Sequence, residues 1–396
     1  MLSLAAATLA LTVDATMHLP VRGHGHGKWP KYPSPQASLP PGCLYPLATG
    51  KWPNGHLPVR KTFLGPREMN RLRGGAQSMT IALCAWESLH SIAVGGVAPH
   101  VTELAAGLVR RGHEVHLFTR ANEVGGSHMV VDGVHVHLVP FDLASDMIDE
   151  CNNMCNAFTY FLRQSEHHMQ KSFDIIHCHD WLAAKALVQL KQAGRRCILT
   201  MHSTEFGRSG NVHHEGGDSA RIREIEREGC EYADKVIAVS GRLCDEVKMF
   251  NCGHKLRMVY NGVQLHHFEG FINAGEFKAK YGIGPLQPMV LFVGRLALQK
   301  GPDILIDAIP GILSAKPDAV MVLVGDGHMR GDLERRVKDM EKGHAVRFVG
   351  SQAGQELRNF YKAADCVVVP SRNEPFGIVV SVQVRETSRA CLCYSV

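Results

Sequence analysis

The stretch MVLFVGRLALQKGPDILIDAIPGIL, Met289 to Leu313, decides the fold. Met289 to Val293 is an unbroken apolar run of strand length. A glycine and a short loop carrying Arg295 and Lys300 follow, and Ile304 to Leu313 then reads as a helix. A buried strand that passes at once into a helix is the first half of a crossover, the unit from which parallel sheets are built.

The same alternation continues in both directions. Downstream, strands at Val320 to Val324, Val346 to Val349 and Cys366 to Val369 enclose a helix at Gly331 to Met340. Upstream, a separate run begins with a strand at Thr80 to Ala85 and a helix at Pro99 to Arg111, whose Val101, Leu104, Ala105 and Leu108 share one face. Pro99 suits the first turn, where a missing N–H is harmless, and Gly112 suits the C-terminal cap. Strands at Val115 to Thr119, Asp174 to His177, Cys197 to Thr200 and Lys235 to Val239, with a helix at Leu182 to Gln192, complete the run.

Two runs of alternating strand and helix predict an α/β chain with two doubly wound sheets. The predicted domains are residues 79–262 and 289–380, joined by a connector over 263–288. Residues 1–78 are rich in Pro, Gly, His and Lys without periodicity and read as a leader or disordered segment. Two strings recur there, HLPVR at His18 and His56 and GKWP at Gly27 and Gly50, with unequal spacing and too few copies for a solenoid.

A chain of 396 residues is long enough for two domains, each with its own core. With 45% hydrophobic and 20% charged residues and 39 glycines it has the balance of a globular protein, not of a disordered or fibrous one. The net charge of +5 comes without any run of lysine and arginine, so no nucleic-acid partner is expected. The 12 cysteines are scattered from Cys43 to Cys393 without a Cys-x-x-Cys pair and read as reduced, mostly buried thiols of an intracellular protein. No run reaches the ~18 apolar residues of a membrane span. No integral membrane segment is therefore expected, and the expected location is cytoplasmic, with organellar import by the N-terminal segment left open.

Ligands of open α/β sheets bind beyond the carboxyl ends of the strands, which directs attention to four segments. Gly95-Gly96 precedes the first helix, where bare backbone lets a diphosphate reach the amides and the positive end of the helix dipole; a plain tight turn is the alternative. HCHDW, His177 to Trp181, and MHSTEFGR, Met201 to Arg208, end two strands and present Asp180 and His202 to one crevice. His177, His179 and His202 could in principle hold zinc, but a polar contact from His202 to a sugar is the better reading and no metal is expected. In GRLALQKG, Gly294 to Gly301, Arg295 offers a fork and Lys300 a point charge to a departing diphosphate. In SRNEPFGIVV, Ser371 to Val380, the Glu374 carboxylate can accept hydrogen bonds from sugar hydroxyls beside the glycine-permitted backbone of Phe376 and Gly377.

In this order, over Met79 to Val380, the four segments resemble the family 4 retaining glycosyltransferases. The resemblance implies the GT-B fold of two facing Rossmann-like domains. It also implies an ADP-, UDP- or GDP-sugar donor, a carbohydrate or other hydroxyl acceptor, no cofactor, and no metal, the two cations doing that work. It places Gly95, Gly96, Arg295 and Lys300 at the donor diphosphate and His202 and Glu374 by the donor sugar; together with the strand-end reading this gives Glu374, Phe376 and Gly377 as the expected donor-sugar residues and His202, Asp180 and Glu374 as the expected catalytic set. HCHDW and TMHSTE are similar to glycogen- and starch-synthase-like members, which extend α-1,4-glucans. Ala93, however, stands where bacterial-type starch synthases carry a lysine two residues before the glycine pair.

The family motif of glutamate, seven residues, glutamate puts Val382 in the second position. From Ser381 the sequence departs from the expected helix, so the second domain is expected to be incomplete and 381–396 an atypical tail, as in a truncated or misread gene. The reading is thus a hexosyltransferase, with glucose the expected sugar and an α-1,4-glucan one acceptor. A catalytically impaired nucleotide-sugar-binding protein and a sugar-nucleotide epimerase of the same architecture are the alternatives.

Overall fold

The structure, a computed structural model, describes residues 78–93, 95–121, 126–262 and 270–377 and the backbone of 390–391. Residues 1–77, the expected first part of the connector (263–269) and Val382 lie outside the described residues.

The first sheet has eight strands: β1 (Thr80–Ala85), β2 (Glu114–Arg120), β3 (Ser127–Val131), β4 (Val134–Val139), β5 (Ile175–His179), β6 (Cys197–Met201), β7 (Lys235–Ala238) and β8 (Leu256–Met258). Their order is β3-β4-β2-β1-β5-β6-β7-β8, and every pair is parallel except β3 with β4. The second sheet has five parallel strands, β9 (Met289–Val293), β10 (Val320–Val324), β11 (Val346–Gly350), β12 (Cys366–Val368) and β13 (Ala390–Cys391), in the order β11-β10-β9-β12-β13.

Helices on both faces explain why the central strands are apolar throughout. All six residues of β1 are buried. Ile81 and Leu83 meet Val101 and Ala105 of helix Val97–Arg110 on one face, while Ala82 and Cys84 share the other with Met154, Phe158 and Leu162 of helix Met147–Met169. In the second sheet, Val290, Phe292, Met321 and Leu323 pack on Leu305, Ile306 and Ile309 of helix Pro302–Ala315. Met289, Leu291 and Val322 pack on Phe277 and Phe360 on the opposite face.

The structure departs from the sequence expectations at several places. Part of the expected connector is folded: helix Ala274–Ala279 sets Phe277 edge-on to Phe360 at 5.0 Å, and Ile283 is buried in the same core. Apolar side chains at these two positions commit the segment to the second core. Within the expected atypical tail, the backbone of Ala390–Cys391 pairs with β12. The β3–β4 hairpin, β8 and helices Met147–Met169, Gly217–Tyr232 and Gly241–Lys248 are additional elements. The nine described cysteines are all free thiols, eight of them buried. No described helix is long and apolar enough to cross a membrane.

Two glycines fix the loop that follows β9. Gly301 (φ +65°) and Gly325 (φ +138°) lie in backbone conformations that side chains rarely adopt, and a Cβ on either would overlap a carbonyl oxygen, of Pro370 and Gly294 respectively. Gly325→Ala should therefore destabilise the fold by at least about 1–3 kcal/mol, the usual cost of such a strained residue. Gly331, in helix Arg330–Asp339 with open space around it, should instead gain roughly 0.5–1 kcal/mol as alanine. Thermal melts followed by circular dichroism compare the two, and equal melting temperatures would show that the Gly325 backbone is not held against the Gly294 carbonyl.

Candidate active site

In each sheet the chain leaves a central strand to one side and later returns to the other. In the first sheet this reversal falls between β1 and β5, and in the second between β9 and β12. The connections diverge there and leave a crevice at the carboxyl ends, the usual place for a ligand. The expected site residues lie at or next to these two reversals: Gly95 and Gly96 after β1, Asp180 after β5, His202 after β6, Arg295 and Lys300 after β9, and Glu374, Phe376 and Gly377 after β12.

At the second reversal the structure brings the expected phosphate cation and sugar carboxylate together. Lys300 Nζ lies 2.8 Å from Glu374 Oε2, and Ser371 Oγ donates to the same oxygen at 3.0 Å. Arg372 stitches the two loops together, its N–H donating to the Gln299 carbonyl at 2.8 Å and its guanidinium gripping Asp303 through two nitrogens. Arg295 is exposed, and its guanidinium makes no hydrogen bond or ion pair among the described residues.

The same loop touches the first sheet's loops. Buried Asn373 donates through Nδ2 to Asn211 Oδ1 at 3.0 Å, and a Cβ at Gly207 would stand 2.7 Å from that nitrogen. Phe376 packs against the first sheet's core, its ring 6.0 Å from that of Tyr260. The side chain expected beside the sugar is thus committed to packing, which leaves its backbone for a ligand. Gly377 has φ +75°.

The glycine pair differs from expectation. The Gly95 N–H donates to buried Glu87 at 2.7 Å. A carboxylate of the chain already occupies the N–H expected to meet a phosphate.

At the first reversal four imidazoles gather. His177 contacts Thr200 Oγ1 at 2.7 Å, His179 Nδ1 lies 3.1 Å from His202 Nε2, and His100 stands edge-on to His202 with centroids 4.8 Å apart. Burial holds them neutral, with His100 down at about 4, His177 at about 3, and His179 and His202 well below the ordinary imidazole range. His100 escaped the sequence reading, although its place in the first turn after the glycine pair puts it at a strand-end crevice.

Asp180 adopts φ 61° and ψ 177°, a region nearly reserved for glycine. Burial pushes its carboxyl up to about 6, against the pull of Arg208 and the nearby N–H groups of Trp181, His202 and Ser203. Arg208 donates to Glu226 at 2.7 Å, to Glu205 at 3.2 Å and to Ser203 Oγ at 2.7 Å, and Glu226 also accepts the Glu205 N–H at 2.7 Å. This network holds the segment that follows His202. Neither Arg208 nor Glu226 was singled out from sequence.

A family model described as Glycosyltransferase Family 4 matches residues 94–267, and one described as Glycosyl transferases group 1 matches residues 273–381. An uncharacterized glycosyltransferase of Methanocaldococcus jannaschii is 36% identical over 315 residues, covering 76% of this chain and 77% of its own. A glycogen synthase of Mycobacterium tuberculosis is 29% identical over 76% of this chain and 74% of its own. Among solved structures, a sucrose-phosphate synthase from Thermosynechococcus elongatus aligns with a TM-score of 0.66 at 24% identity, over 79% of this chain and 81% of that one.

The buried carboxyls make stability depend on pH. Burial pushes Glu226 up to about 7 despite Arg208, so the folded state holds a proton that the unfolded chain releases near pH 4.5. Such a group stabilises the fold fully at low pH and loses that contribution as pH rises through about 7. Glu226→Gln, which cannot titrate, should lack this component. The melting temperature of the native chain minus that of Glu226→Gln should therefore fall between pH 5 and pH 7.5; a difference that stays flat or rises would contradict the assigned burial.

Proposed function

The chain belongs to the family 4 glycosyltransferases, and from that premise we propose that it moves a hexose, with glucose the expected sugar, from a nucleoside-diphosphate donor to a hydroxyl acceptor with retention of configuration. The observation that carries this reading is the Lys300 and Glu374 pair at the reversal between β9 and β12, with exposed Arg295 on the same loop.

When the glycosidic bond breaks, negative charge grows on the departing diphosphate. Fixed cations there stabilise the transition state more than the bound donor. Arg295 and Lys300 fill that role, and in this reading the step needs no metal. Once Lys300 turns to the diphosphate, Glu374 is free to accept hydrogen bonds from the sugar hydroxyls.

From the first sheet, His202 contributes a neutral imidazole, which can hydrogen-bond the sugar without repelling the positive charge that develops on it. Asp180 acts as a positioning group for the backbone of His202. Retention sets the incoming hydroxyl on the face the phosphate leaves, so a donor phosphate oxygen can take its proton. The similarity to a glycogen synthase favours a glucan as acceptor.

A panel of ADP-, UDP- and GDP-hexoses, scored by released nucleoside diphosphate with and without chelator, tests the reading. Binding without turnover would instead support a nucleotide-sugar-binding protein. Arg295→Ala and Lys300→Ala should each weaken donor binding by about 1.5–3 kcal/mol, the worth of a hydrogen bond to a charged group. Calorimetry showing unchanged affinity in both would remove the diphosphate from this loop. His202→Ala should lower kcat while leaving donor affinity nearly unchanged, as for a group that acts in the transition state; a loss confined to KM would contradict that role.

A further inference from the structure

Three imidazoles reach the first-sheet crevice from separate elements. His100 comes from the first turn of helix Val97–Arg110, His179 from the end of β5, and His202 from the residue after β6. One ring nitrogen of each lies within 4.8 Å of those of the other two. The closest pair, His179 Nδ1 and His202 Nε2, is 3.1 Å apart. Two nitrogens bound at ~2.0–2.1 Å to a tetrahedral ion stand roughly 3.3 Å apart, so this pair already has ligand spacing. His100 is partly buried, its ring edge-on to both His179 and His202 with centroids 5.6 and 4.8 Å away. The remaining nitrogen of His179, Nε2, is buried without a hydrogen-bond partner. Only one nitrogen of an imidazole can face a given ion, so this orphan lies on the far side of the ring from the 3.1 Å pair, and the case for an ion rests on the spacing of the three rings.

We infer that His100, His179 and His202 form a binding site for a transition-metal dication of the Zn2+ or Co2+ class, and that the bound ion blocks the sugar position. Imidazole nitrogens select these ions over Mg2+ and Ca2+, which prefer oxygen. Three protein ligands leave a fourth position for water. The ion is an inhibitor in this scheme. Metal binding stands on the geometry alone, whereas the inhibition rests on the proposed function, in which His202 faces the sugar.

A second histidine group supplies the control. His116, His128, His135 and His137 line the β2–β4 face, with His116 Nδ1 2.9 Å from His137 Nε2 and His128 Nε2 3.2 Å from His135 Nδ1. Among the described residues only the His100, His179 and His202 group brings three donor atoms together.

The full chain is titrated with cobalt chloride alone and followed by the visible ligand-field absorption of Co2+. One equivalent should bind with a tetrahedral-type band that Zn2+ displaces. His100→Ala and His179→Ala should each weaken binding about tenfold or more, through loss of one of three ligands. His100→Asn, which keeps a polar side chain in the first turn, should do the same with an unchanged circular dichroism spectrum. A double variant, His128→Ala with His135→Ala, should keep the band. Absence of the band, its persistence in the folded His100 and His179 variants, or its loss in the double variant would each overturn the site. One equivalent of Zn2+ should also suppress sugar transfer about tenfold or more, and chelator should restore it. A chain that transfers sugar but binds no Co2+ sinks the metal site alone. A chain that binds Co2+ as expected yet transfers no sugar supports the site and sinks the functional reading.

Discussion

Parallel strands cannot be joined by a tight turn, because each connection has to cross a face of the sheet before the next strand begins. A chain that covers both faces must therefore reverse its direction of travel across the sheet once. In this protein the reversals fall at β1 and β9, and the rest of the site depends on them. The loops after β9 and β12 leave in opposite senses, so Lys300 and Glu374 can meet across a gap that no helix fills. Gly301 and Gly325 follow from the same constraint, since the loop after β9 must lie flat against two neighbouring strand ends.

Burial then divides the chemistry between the two sheets. Histidine at a strand end could be a cation at neutral pH, but the first-sheet imidazoles are so far from water that they stay neutral. The second-sheet loop keeps its cations at the rim, where Arg295 is exposed and Lys300 only partly covered. On the proposed reading this gives an uncharged hydrogen-bonding wall for the sugar and a positive one for the diphosphate. Arg208 is the exception, a largely buried cation held by Glu205 and by hydrogen bonds to Ser203 and Glu226. Breaking such a pair costs more than forming it contributes, because the partner is left buried and unpaired.

The central strands were legible because they are buried on both faces. β9 and β10 are unbroken apolar runs and β1 is one from Ile81 onward; the first helix starts at Val97, two residues before the expected Pro99, which sits in its first turn, and Gly112 lies just past its C-terminal end with positive φ. β3 escaped because four of its five residues are exposed, so its sequence SHMVV carries no buried alternation, and β8 is only three residues long. Helix Met147–Met169 does carry a stripe, Ile148, Cys151, Cys155, Phe158 and Leu162, but polar residues between them hide it. The site residues were legible as strand-end residues, one element at a time. Glu226 was not, because IREIEREG reads as a solvated charged helix and only the tertiary fold places that one carboxyl out of water. The packing of Phe376 and the occupation of Gly95 by Glu87 were hidden for the same reason, since both depend on which segments meet.

Asn373 and Glu374 are adjacent, and they look in different directions energetically. Asn373 is tied to Asn211 and faces Gly207 on the first sheet's side, while Glu374 is tied to Lys300 on the second. Asn373, buried against Gly207, is one point where the second sheet's loop meets the first sheet's loops, and Phe376 is another. Glu374 and Lys300 neutralise each other, so on the proposed reading a donor gains only what its phosphate and hydroxyls offer beyond that pair. The gain is modest while the sugar is still bonded to phosphate and grows as charge separates, when Lys300 faces a fuller negative charge than a carboxylate can present. On the proposed reading, a segment that binds donor through Glu374 and touches the first sheet's loops through Asn373 couples the register of the two sheets to the charge on the leaving group.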